Sequence, residues 1–149
     1  MPHFCVDLIM KVEEHNLNED ALYYRLGGDA TLRRLVEKFY DQVFVHPLIG
    51  RLFKTDKELI KEKQRMFLSQ FLGGPALYSE QYGHPKMRAR HLPHPITHDD
   101  AYAWLECMAS AVNSLDIPED LKQELFARFP QTAFFMVNSE TEAAPGKNA

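Results

Sequence analysis

The run Lys86-Met87-Arg88-Ala89-Arg90-His91-Leu92-Pro93-His94-Pro95 places one imidazole under tight backbone constraint. Pro85 can open a helix and Pro93 forbids its continuation, so His91 ends a stub of about two turns. A ring held in this way points in one direction, which suits a metal ligand. Arg88 and Arg90 just before it offer partners for carboxylates. Together they are compatible with a haem, one imidazole for the iron and cations for the propionates. The plainer reading is a helix C-terminal histidine favoured by the dipole.

Three polar side chains interrupt apolar helical stripes. Tyr40 lies at i+4 from Val36, Gln64 at i+4 from Ile60 and i−4 from Leu68, and Trp104 on the apolar face of a later helix. A buried tyrosine or tryptophan often just satisfies its one polar hydrogen on a nearby carbonyl. A glutamine is harder to accommodate, because its amide needs partners for two donors and an acceptor or costs about 1–3 kcal/mol. Three such groups from three helices would fit a cavity holding a polar ligand. A zinc cluster of His84, His91, His94 and His98 is the less favoured alternative. Pro93 and Pro95 prevent the regular helix that would bring these rings together, and no HExxH is present.

Helical periodicity positions these residues, and strand signals are weak throughout. Asp29 can cap a helix burying Leu32, Leu35, Val36, Phe39, Tyr40 and Val43, ended by His46-Pro47. A second is expected from Thr55 or Asp56 to Leu72, stopped by Gly73-Gly74-Pro75, with Ile60, Gln64, Phe67, Leu68 and Phe71 as its stripe. A third starts at Thr97 and buries Ala101, Trp104, Leu105, Met108, Val112 and Leu115. Pro118 opens a fourth carrying Leu121, Leu125, Phe129, Ala133 and Met136, which Pro130 should kink or deprive of a hydrogen bond. The connection from Gly73 to Pro95, with only the stub at His91 expected inside it, is long enough to be functional. The sum is a small all-α domain.

Composition bounds the reading. The chain has 149 residues, enough for one domain, with 45% hydrophobic residues. A net charge of −4 argues against a nucleic-acid partner. Cys5 and Cys107 form no CxxC, which favours a reducing cytoplasm over a disulfide framework. Without CxxCH, any haem would be held non-covalently. The run from Phe4 to Met10 is a poor signal peptide, and no stretch approaches the ~20 apolar residues of a membrane span. Residues 1–23 read as an N-terminal extension whose apolar run can form a short helix, 24–138 as the domain, and 139–149 as a frayed tail.

The ordered series Leu26-Gly27-Gly28, Phe39-Tyr40-Asp41, His46-Pro47-Leu48, Leu52-Phe53, Gln70 to Pro75, Leu77-Tyr78, Gly83-His84-Pro85 and Met87 to Thr97 resembles the truncated haemoglobins of group II, the O type. Ala103-Trp104-Leu105, Thr132-Ala133 and Met136-Val137-Asn138 extend the likeness, which covers Tyr24 to Asn138. The resemblance implies a globin-like two-over-two helical sandwich around haem b. It makes His91 the proximal iron ligand. Tyr40, Phe53, Ile60, Gln64 and Trp104 then form the distal pocket. Lys63, Tyr78 and Arg90 match positions that attend the propionates, with Phe67, Phe71, Leu72 and Met87 as further haem neighbours.

The chain departs from the family pattern in places. Ile60 is apolar where many globins carry a gating polar residue, so distal polarity falls on Tyr40 and Trp104, with Gln64 a third candidate. His94 replaces a common phenylalanine, and a surface or interface place is expected for it. The function implied is a haem protein binding oxygen, carbon monoxide and nitric oxide at penta- or reversibly hexa-coordinate iron, as monomer or homodimer. Two inward donors would make oxygen binding tight. The enzymatic alternative is a nitric oxide dioxygenase or a peroxidase-like protein acting on peroxide. It needs an outside reductase, because no reductase domain is evident. A haem-free helical interaction module would instead leave Tyr40, Gln64 and Trp104 as core and the long connection as a partner loop.

Overall fold

The computed structural model describes residues 20–53, 56–86, 89 and 94–139. The stub ending at His91, the expected N-terminal helix and the tail beyond Ser139 lie outside them. Among the described residues the elements are helices only: α1 Leu22–Arg25, α2 Asp29–Val43, α3 Lys57–Phe71, α4 Leu77–Tyr82, α5 His98–Asn113, α6 Glu119–Phe126 and α7 Pro130–Phe135, with a 3-10 turn at Gly50–Leu52. The fold is the two-over-two sandwich. Helix α2 packs on α3 and α5, α3 on α4, and α5 on α6 and α7.

Local chemistry sets the helix starts. Asp56 caps α3 by accepting the Glu58 and Leu59 amides at 3.0 and 3.2 Å. Thr97 and Asp100 form a reciprocal capping box on α5 at 3.0 and 2.9 Å. The α2 stripe meets protein: Leu32, Leu35, Phe39 and Val43 are wholly buried, facing Met108, Ala111 and Val112 of α5. Each such side chain contributes about 1.5–3 kcal/mol by leaving water.

Three features differ from expectation. The fourth helix is two pieces, α6 and α7, because Pro130 has no N–H to continue α6 and takes the first-turn place of α7. The long connection contains α4, anchored where the Gln70 side chain bonds the Ser79 amide and hydroxyl at 2.9 and 2.8 Å. The packed domain also takes in Leu22 and Tyr23, which the sequence places in the extension; both are buried. Tyr23 donates its amide to the Leu72 carbonyl at 3.0 Å, and its ring lies so close over Gly74 that a side chain there would collide with it. Gly73 turns the chain at φ +92°, a conformation that glycine adopts without strain.

Two ion-pair systems tie distant segments. Arg65, nearly buried on α3, bridges Asp29 of α2 and Glu62. Arg51, from the 3-10 turn, donates to both oxygens of the buried Asp100 at 2.8 and 2.9 Å. Asp100 therefore does more than complement a helix dipole.

Candidate functional site

The helices converge on a cavity of about 430 Å³. Helix α2 contributes Tyr40, and the following turn contributes Ile49, Leu52 and Phe53. Helix α3 gives Ile60, Lys63, Gln64 and Phe67, and α4 gives Tyr78. His94 and Ile96 precede α5, which adds Asp100, Ala101 and Trp104, and α7 closes the space with Thr132, Ala133 and Met136. The volume and mostly apolar wall suit a single small-molecule ligand or cofactor.

The break at Pro130 lets α7 leave the line of α6 and supply part of this wall. Ile60, Gln64 and Phe67 are half-buried although they form the apolar stripe of α3, because that stripe borders the cavity.

Aromatic rings hold the polar groups in place. Phe39, wholly buried, meets Tyr40 edge-on at 4.9 Å and Trp104 at 5.0 Å. Phe53 stands 5.8 Å from Tyr40, and Phe44 stacks on it at 5.1 Å. Phe129 meets Trp104 from another side at 5.7 Å. Such offset and edge contacts fix ring orientation. Sequence periodicity identifies Phe39 only as core, so its part as a strut between Tyr40 and Trp104 emerges in three dimensions.

Among the described residues, the Tyr40 hydroxyl, the Gln64 amide and the Trp104 indole N–H have no hydrogen-bond partner. None of these polar atoms is sealed in the protein without a partner; all three residues line the cavity, where a polar ligand could bond them. Burial pushes the Tyr40 phenol above its ordinary pKa, so it is a protonated donor at neutral pH. Lys63 lies over the Tyr82 ring at 4.9 Å beside the cavity, where its ammonium can meet an anionic edge of a ligand.

The sequence-derived residues divide by position. Tyr40, Phe53, Ile60, Gln64, Trp104, Lys63, Phe67 and Tyr78 come together on the wall. Phe71 stands behind it, stacked between Phe67 at 5.4 Å and Phe129 at 5.7 Å. Leu72 is buried in the helical core, away from the wall. Met87, Arg90 and His91 lie outside the described residues. His94 is exposed, as expected of a surface residue, and also borders the cavity. Periodicity did not single out Asp100, Ile96 or Thr132 for the wall, since their partners are remote in sequence.

A haem fits these residues. The mostly apolar wall suits a porphyrin, Lys63 would be available as a cation for a propionate, and Tyr40, Gln64 and Trp104 line the same cavity.

Residues 21–138 match the family model described as bacterial-like globin. The group 2 truncated haemoglobin YjbI of Bacillus subtilis (strain 168) is 46% identical over 120 residues, covering 80% of this chain and 90% of that protein. The crystal structure of the group II truncated haemoglobin from Bacillus anthracis superposes with a TM-score of 0.78 at 40% identity, covering 82% of this chain and 94% of that one. The X-ray structure of a truncated oxygen-avid haemoglobin from Bacillus subtilis gives 0.75 at 45% identity, covering 79% and 99%.

Proposed function

The chain belongs to the bacterial-like globins, among the group II truncated haemoglobins, and on that premise we propose that it binds oxygen tightly through hydrogen bonds from Tyr40 and Trp104. The observation that carries this reading is the set of unpartnered donors on the cavity wall. Haem b, held non-covalently, supplies the iron that takes the gas. His91 is assigned to the iron, and Lys63, Tyr78 and Arg90 to the propionates.

The protein's own part is positioning and polarity. Phe39 and Phe53 hold the Tyr40 ring edge-on where that residue lines the cavity. Ile60 adds no donor and keeps that part of the wall dry, leaving Tyr40 and Trp104 to set the interaction. A hydrogen bond to a charged acceptor contributes about 1.5–3 kcal/mol. That corresponds to roughly tenfold to over a hundredfold in release rate. Such a protein holds its gas rather than delivering it, in keeping with the relative described as oxygen-avid.

The test starts with purified protein and hemin, which should give a strong Soret band that His91→Ala abolishes. Tyr40→Phe and Trp104→Phe should each speed oxygen dissociation by about tenfold or more. Unchanged rates in both variants would refute the distal assignment. Sustained consumption of nitric oxide or peroxide with an added reductase would instead make this an enzyme using the same wall.

A further inference from the structure

The turn after α2 carries Ile49, Leu52 and Phe53 to the cavity wall. Its backbone closes on itself: Gly50, Leu52 and Phe53 donate to the carbonyls of His46, Ile49 and Gly50 at 3.0, 2.9 and 3.2 Å. Pro47 has no N–H to give. The Leu48 and Ile49 amides instead donate to one side-chain atom, the His46 Nδ1, at 3.0 and 3.4 Å. A ring nitrogen thus takes the amides at i+2 and i+3, as the Asp56 carboxylate does at the start of α3. Ile49 is buried, so water is a poor substitute for the ring at its amide.

An acceptor at Nδ1 places the proton of the neutral ring on Nε2, which stands 3.7 Å from the Glu106 carboxylate of α5. His46 therefore sits between the turn and the helix that carries Trp104. Space around the turn is tight. A side chain at Gly50 would press on the Val43 and Phe44 carbonyls, so the turn lies directly over the end of α2. Phe44 stacks on Tyr40 from that end, and Phe53 meets the same ring from the far end of the turn.

We propose that His46 is a positioning residue for the gas site: by accepting the Leu48 and Ile49 amides, its ring holds in place the turn whose Phe53 braces Tyr40. This deepens the reading that Tyr40 bonds the bound gas, and rests on it. Without the acceptor the turn loosens, and Phe53 no longer keeps the Tyr40 ring in one orientation. The haem-loaded protein and its His46→Phe, His46→Asn, Glu106→Gln and Tyr40→Phe variants test it. The readouts are the oxygen dissociation rate, the C–O stretching band of the carbon monoxide complex, and hydrogen exchange at the Leu48 and Ile49 amides.

His46→Phe keeps a ring but offers no acceptor. It should release oxygen about threefold faster, less than Tyr40→Phe, and should shift or broaden the band. His46→Asn supplies an oxygen with the same i+2 and i+3 reach and should restore both readouts most of the way. Glu106→Gln removes only the charge outside the ring and should move neither. In the wild type both amides should exchange about tenfold or more slower than in an unfolded chain. Free exchange there overturns the role of His46 even where the phenylalanine variant does not fold. If Tyr40→Phe moves the band and His46→Phe does not, or asparagine fails to restore it, that role falls alone. A shift in Glu106→Gln as large as in His46→Phe assigns the hold to the ion pair and overturns the part given to the amides. A band that Tyr40→Phe leaves in place removes the reading of the gas site itself, and the role of His46 with it.

Discussion

Helices α2 and α3 have equal length, 15 residues each, and the same kind of apolar stripe, but the stripes end up in different surroundings. That of α2 is closed against protein, with Leu32, Leu35, Phe39 and Val43 wholly buried. That of α3 leaves Ile60, Gln64 and Phe67 half-buried on the cavity wall. Periodicity reports which way a helix faces. It does not report whether the facing volume is filled by side chains or kept for a guest. The tell-tale was the amide at Gln64, a group that a closed core would have to satisfy.

The largest effect should separate the two faces directly. Phe39→Ala removes a fully packed ring and should cost about 3–5 kcal/mol in denaturant unfolding. Phe67→Ala, whose ring borders open space, should cost about 1–2 kcal/mol and show itself more in hemin retention. Equal unfolding costs would end the distinction between a filled and a reserved face.

A smaller effect should appear where the cavity wall is braced. Arg51→Ala leaves the buried Asp100 carboxylate with the Thr97 amide but without its cation, at a cost of about 2 kcal/mol. Adding Asp100→Asn should recover part of that loss, because the uncompensated charge goes with it. A double-mutant cycle with no coupling would show that the pair does not brace the wall.

The smallest effect concerns the seam between α2 and α3. Burial works to raise the Asp29 pKa, but hydrogen bonds from Arg33 and Arg65 outweigh it and hold the carboxyl below its usual value. The Arg65 hydrogen bond likewise lowers Glu62. Folded-state values below unfolded ones mean that the unfolded chain binds protons more readily. The stabilisation is then complete above the ordinary carboxylate pKa of about 4 and is lost as pH falls through the lowered values. Arg65→Met should flatten the acid limb of a stability profile measured from pH 6 to pH 3. An unaltered slope would place the acid sensitivity elsewhere.

The long helices were legible because their signals are local. Asp56 and Thr97 cap where short-range rules put them, and Gly73-Gly74-Pro75 stops α3. Pro130 was legible as a disturbance, though its outcome, a separate α7 turned towards the cavity, depends on what that helix packs against. Helix α4 escaped notice because its six residues show too little of a repeat and its anchor is a glutamine on another helix. The Arg51–Asp100 pair and the Asn138–Ile96 hydrogen bond join residues 49 and 42 apart, and no spacing rule reaches so far. The inward polar residues were legible as anomalies, and Phe39 as core. Their common geometry required the fold.

The phenol of Tyr23, resting in the slot that Gly74 leaves, has a practical corollary for protein engineering. Trimming or fusion at the start of this chain must leave Leu22 and Tyr23 in place, since these two side chains already serve as lining for the helices behind them. Cutting past Tyr23 would open a ring-sized hole against the α3 terminus, and a bulkier residue at 74 would evict the same ring without any cut.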